Sequence, residues 1–212
     1  MRFSGRELRD LLVAWLVLGL AFALFFDGGG SEFVALLSDP VVLGAALAVS
    51  LVTAGVAFVA HELAHKYVAV RFDQIAEFRA DYGMLFLGVM SALIGFLFVA
   101  PGAVHHRGRL TDRQRGLVAL AGPAANVALA VPFGVVVLGT GVGSAGGAGG
   151  LLGLVGARGL VVNLFLAAFN LVPIRSLDGA TVRGWSTAAW LGAFLPTLAA
   201  AVLALFAVDI GI

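Results

Sequence analysis

At one point in this 212-residue chain two histidines stand four positions apart with a glutamate between them: His61-Glu62-Leu63-Ala64-His65. On a helix, side chains at i and i+4 lie one above the other, so both imidazoles can reach a single divalent cation. Glu62 projects one step round the helix, where its carboxylate can approach water beside that cation without being a ligand. The chemistry this suggests is metal-assisted hydrolysis. The bland alternative is two boundary histidines and a glutamate reaching for water.

Two histidines are too few, because a catalytic zinc usually takes three protein ligands and keeps one position open. His105 and His106 are neighbours in an arginine-rich stretch, and adjacent residues on a strand or loop point apart. They read as a solvated loop, with an accessory metal as the weaker alternative. Asp178 is better placed, at the end of Asn170-Leu171-Val172-Pro173-Ile174-Arg175-Ser176-Leu177-Asp178-Gly179. Taken alone, an aspartate before glycine is equally a turn cap. The choice depends on which side of the fold Asp178 occupies, and so on the elements that carry it.

Those elements belong to a membrane protein. Hydrophobic residues make up 61% of the chain and charged residues 12%, against about 45–50% and 25% in soluble domains. A water-soluble globule of this size cannot hide so much apolar surface, and disorder is excluded for the same reason. Thirteen basic against twelve acidic residues leave no electrostatic footprint for nucleic acid. The absence of cysteine excludes disulfides and thiolate chemistry. In lipid a charged side chain at a helix centre costs about 2.5–3.5 kcal/mol. A bound metal contributing on the order of 10 kcal/mol can offset the gathering of such groups.

Charge-free runs mark the spans: Leu11–Phe26, Pro40–Ala60, Tyr82–Val104, Gly116–Ala157, Gly159–Ile174 and Gly184–Val208. About 20 residues cross the hydrocarbon layer as a helix. The fourth run holds one span, and its Gly/Ala/Ser stretch Gly139–Gly153 is expected to be a flexible loop. A basic start and an apolar run make Met1–Phe26 similar to a signal peptide, but the run continues past Ala21-Phe22-Ala23 and a retained first span is expected. Arg158 is expected to snorkel at an outer end, and Trp15, Trp185 and Trp190 to act as interfacial anchors.

Basic residues concentrate on the cytoplasmic side of membrane proteins. Arg2, Arg6 and Arg9 place the N-terminus there; Lys66, Arg71 and Arg79, then Arg107 to Arg115, then Arg175 and Arg183, return to it, while Asp209 lies outside. Tyr82–Val104 has arginine on both flanks, and a single crossing would invert everything after it. The expectation is a re-entrant segment, a half-helix broken around Gly95 with an extended return. Asp178 then falls on the same face as His61 and His65. The predicted fold is an all-α polytopic membrane protein with about five transmembrane helices plus that segment around 82–104. Residues 1–212 form one domain, with a core at 40–183 and peripheral helices at 11–26 and 185–208.

With these residues in view, the chain resembles the site-2 protease family of intramembrane zinc metalloproteases. The likeness rests on His61-Glu62-x-x-His65, on Gly122-Pro123-x-x-Asn126 in a middle span, and on Asn170-x-x-Pro173-x-x-x-Leu177-Asp178-Gly179, in the family's order over roughly Pro40–Arg183. It departs in Ala64 and Ala180, where many relatives carry glycine, and in the length of Tyr82–Val104. The resemblance implies one Zn2+ held by His61, His65 and Asp178, Glu62 as catalytic acid/base, and Asn170 helping to hold substrate.

The expected activity is hydrolysis of peptide bonds in or near transmembrane helices of other proteins, close to the cytoplasmic face of the cell membrane. Water activated by the metal would be the nucleophile. Two other classes stand beside it: a metal-binding membrane protein without peptidase activity, and an ion or proton transporter relaying through Glu62 and Asp178. An intact Glu62 argues against the first, and the lack of repeated halves against the second. Asn126 and Asn163 read first as interhelical hydrogen-bond partners; a weaker alternative puts Asn126 at the substrate rim. Gly122-Pro123 reads as a place where helices approach or bend. Lys66, Arg71 and Arg175 suggest a polar approach for water from the cytoplasmic side.

Overall fold

A computed structural model of the protein describes residues 1–29, 32–98, 101–141, 150–208 and 210. Helix α1 covers Gly5–Asp27, started by Ser4, whose hydroxyl accepts the Glu7 N–H at 3.1 Å. The short α2, Phe33–Ser38, leads to α3, Pro40–Ser50, capped by the Asp39 carboxylate and begun with a proline that has no N–H to leave unpaired. A π-helical turn at Leu51–Gly55 joins α3 to α4, Val56–Arg71, so Pro40–Arg71 runs as one 32-residue span.

Strand β1 follows at Ile75–Ala80, α5 at Tyr82–Leu93 and β2 at Gly102–Arg107. Next come α6 at Asp112–Thr140, α7 at Gly150–Asn170, α8 at Asp178–Trp185 and α9 at Thr187–Ala207. Five of these helical stretches, α1, α3–α4, α6, α7 and α9, are long and apolar enough to cross a membrane. Leu138, Leu203 and Phe206 point outward from them, as expected where lipid rather than protein covers a helix. The chain is an all-α polytopic membrane protein with a minimal two-stranded sheet, which sequence reading did not anticipate.

Contacts between distant residues fix the ends of the spans. At one end, the carboxylate of Asp27 at the foot of α1 takes two hydrogen bonds from Arg158 in α7, at 2.6 and 2.7 Å, and Arg158 Nε donates to the Ile210 carbonyl after α9. At the other end, Lys66 of α4 pairs with Glu7 of α1, and Tyr82 at the start of α5 donates to Asp10 of α1 at 2.7 Å. Five crossings satisfy both sets only if 82–104 leaves and returns on the same side. That is what the chain does: Asp81 N–H donates to the Pro101 carbonyl at 3.0 Å, and β2 pairs antiparallel with β1. Helix α5 ends at Leu93, and Gly95 turns the chain with φ of +79°, a conformation that costs glycine little. Residues 99 and 100 of the expected extended return lie outside the described residues.

Several expectations need correcting. Arg158 does not snorkel: it is buried, ion-paired to Asp27 and stacked over Phe26 at 4.7 Å, because a partner carboxylate lies within reach. Lys66 does not face solvent: it is buried against Glu7. Trp15 and Trp190 have a role beyond the one expected: their indole N–H groups donate to the carbonyls of Leu51 and Leu171, tying elements together. The Gly-rich stretch is shorter than expected, since Gly139 and Gly150–Gly153 are helical; 142–149, like Asp209, lie outside the described residues.

Candidate active site

The two histidines and Glu62 lie in the second half of α4, before its end at Arg71, and all three are buried. Asp178 opens α8, beyond the turn that ends α7. Gly179 allows this approach: a Cβ there would stand 2.0 Å from the Leu171 carbonyl oxygen, so no other residue lets α8 start so close to the foot of α7. The carboxylate of Asp178 reaches between the imidazoles, with Oδ2 at 3.3 Å from Nε2 of His61 and 3.3 Å from Nε2 of His65. Burial acts to raise this carboxyl, but hydrogen bonds and charge from the two histidines outweigh it and hold it below the ordinary carboxylate range.

These donors fit a tetrahedral cation in three ways. Ligands at about 2.0–2.1 Å and tetrahedral angles stand about 3.3 Å from each other, the separation found from Asp178 to each imidazole. His61, His65 and Asp178 are the one group of three or more metal-ligating side chains, among the described residues, with donor atoms within 4.8 Å of one another. The tautomers also agree. Nδ1 of His65 lies 2.7 Å from the Val118 carbonyl, which only accepts, so Nδ1 carries the proton and Nε2 presents its lone pair.

For His61 the same result comes through a relay. Asn163 donates to the Gly159 carbonyl at 2.8 Å, which turns its Oδ1 towards Asn126. Asn126 donates to that oxygen at 3.1 Å and to the Ala57 carbonyl at 3.0 Å, leaving its own Oδ1 to accept from His61 Nδ1 at 2.6 Å. Space for the ion comes from α6. A Cβ on Gly122 would lie 2.4 Å from Nε2 of His65 and 2.5 Å from Nε2 of His61, so glycine keeps the coordination volume open.

A cavity of about 310 Å3 opens onto these groups, lined by Glu62 and Asn170 and by Val104 and His106 of β2. Asn170 donates to the Leu166 carbonyl at 2.9 Å, which steadies its side chain at the cavity wall. Asn126 is fully buried behind His61 and does not line the cavity. His106 reaches the cavity while its neighbour His105 stands opposite Glu77 across the sheet. The Asn163 relay and Gly122 carry more of the site than sequence reading assigned them; their signals were the Gly-Pro pair and two asparagines within apolar spans. The Val118 carbonyl had none, since any residue supplies one.

A multi-pass membrane protein that gathers two imidazoles and a carboxylate around a glycine-lined hollow, with a further glutamate beside them, is built as a candidate metallohydrolase. No family model and no solved structure matches the chain. Over 199 residues it is 37% identical to a protein of Methanocaldococcus jannaschii named "Putative zinc metalloprotease MJ0611", and the match covers 93% of each chain. The chain belongs to the zinc metalloprotease family of that archaeal protein.

Proposed function

We propose that the chain is an intramembrane zinc endopeptidase of the site-2 protease type, cutting peptide bonds in or near transmembrane helices of other membrane proteins. The observation that carries this reading is the convergence of His61, His65 and Asp178 on one point of the cavity that Glu62 also lines. When bound, zinc supplies Lewis acidity, polarising the scissile carbonyl and lowering the pKa of water towards about 7. Glu62 takes the proton from the attacking water and delivers it to the leaving amine, so one carboxylate serves as base and then acid and ends as it began. His61, His65 and Asp178 would hold the ion, the relay through Asn126 orients His61, and Asn170 offers a polar contact to substrate.

The substrate must be extended at the cut, because a helix commits its carbonyls to internal hydrogen bonds. Strand β2 offers an edge for it. Phe78 N–H points to Glu7 and not to β2, so Phe78 and Val104 form a non-hydrogen-bonded pair. Gly102, Val104 and His106 therefore turn their backbone groups away from β1, along the cavity that holds Glu62. A substrate strand added to this edge would run past the metal position.

The arginine distribution supports a cell-membrane protein whose N-terminus and active site face the cytoplasm. The test is cleavage of a model transmembrane substrate by purified protein supplied with zinc. Chelation and Glu62→Gln are each expected to abolish cleavage; full cleavage by Glu62→Gln with zinc retained would overturn the mechanism.

A further inference from the structure

Glu7 is a fully buried carboxylate near the start of the first span, and the chemistry above does not use it. Its two oxygens serve two different elements. Oε2 pairs with Nζ of Lys66, which is equally buried and also donates to the Arg2 carbonyl at 2.7 Å. Oε1 accepts the Phe78 N–H of β1 at 3.0 Å.

Lys66 follows His65 and stands at i+4 from Glu62, so Glu62 and Lys66 share one face of α4, about 6 Å apart along its axis. Phe58, one turn earlier on that face, meets the Phe78 ring edge-on at 5.6 Å. The two strands, about 4.8 Å apart, lie across this face. Val104 of β2 presents its backbone to Glu62, and β1 is fastened to Lys66 through Glu7. The path Glu62, Val104, Phe78, Glu7, Lys66 closes on itself through α4.

We propose that Glu7 is a positioning residue of the active site, a bracket whose carboxylate ties β1 to the metal-ligand helix and thereby sets where the free edge of β2 stands relative to Glu62. The same contact covers the outer edge of β1 at Phe78, leaving β2 as the edge open to an incoming strand. This rests on the peptidase reading of the site and adds to it the residue that fixes which bond of a bound strand meets the catalytic glutamate.

The test uses the full-length protein in detergent or lipid. E7L/K66M removes both buried charges together, leaving neither unpaired, and removes the acceptor for Phe78. It is expected to keep one zinc per chain, to exchange the amides of 102–107 at least tenfold faster than wild type, and to spread cleavage of a model transmembrane substrate over neighbouring bonds with kcat/KM at least tenfold lower. E7Q/K66M keeps a side-chain oxygen for Phe78 N–H but cuts the tie to α4, and is expected to speed exchange and scatter cleavage in the same direction. A zinc-loaded E7L/K66M with wild-type exchange and one product would overturn the proposal. Should that variant not fold, a zinc-loaded E7Q/K66M with wild-type exchange and one product would overturn it equally. Exchange needs no cleavage, so a wild-type protein that cut nothing would count against the peptidase reading and not against the bracket.

Discussion

A methyl group on Gly122 would stand 2.4 Å from the Nε2 of His65, closer than any unbonded carbon is tolerated. The middle span thus contributes to the metal position by what it lacks. Gly122→Ala must displace either an imidazole or the α6 backbone. Zinc affinity is expected to fall at least 100-fold while the protein remains folded. Metal analysis of purified protein against a series of competing chelators measures this; unchanged affinity would show that the hollow is not the coordination volume.

Asn126 orients His61 from behind. Asn126→Ala leaves His61 Nδ1 and Asn163 Oδ1 without their partner, and groups that orient metal ligands typically contribute 10–100-fold to metal affinity or activity. A loss of that size is expected in zinc affinity, with cleavage restored at saturating zinc. Titration of the apo variant with zinc, followed by the activity assay, checks both parts.

The HExxH pattern was readable because helical spacing alone puts His61 and His65 on one face. Asp178 was readable only together with the topology, since a single crossing by 82–104 would have carried it to the other side. What stayed hidden were partnerships across long stretches of chain: Arg158 with Asp27, 131 residues away, and Lys66 with Glu7, 59 residues away. Composition treats such a residue as a lone charge and sends it to the interface, whereas a partner of opposite sign lets it stay inside. The strands were hidden for another reason. Ile75–Ala80 and Gly102–Arg107 are six residues each and rich in charge or histidine, so they read as polar loops until pairing supplies their hydrogen bonds.

The Arg158 pair anchors the end of the bundle remote from the site. Removing one partner of a buried ion pair typically costs about 3–5 kcal/mol. Arg158→Ala is therefore expected to lower thermal stability sharply, and Asp27→Leu combined with Arg158→Met to recover most of the loss. Thermal unfolding in detergent compares them; a double variant as unstable as the single one would show that charge pairing is not the reason Arg158 stays inside.

Because the chain has no cysteine of its own, single introduced cysteines report sidedness cleanly. Arg71→Cys and Arg113→Cys flank the re-entrant segment and are expected to react with an impermeant reagent from the same side. Ser38→Cys, at the far end of the second span, is expected to react from the opposite side. Opposite accessibility of 71 and 113 would contradict a hairpin at 82–104.

On the proposed reading, His61, His65 and Asp178 share one zinc ion. Its most direct test is the zinc X-ray absorption spectrum of the purified protein beside that of Asp178→Ala. The wild-type spectrum should fit two imidazole nitrogens and oxygen donors at about 2.0–2.1 Å, and the variant should have lost its zinc or changed its oxygen shell. A wild-type spectrum without two imidazoles, or one that Asp178→Ala leaves unaltered, would contradict it.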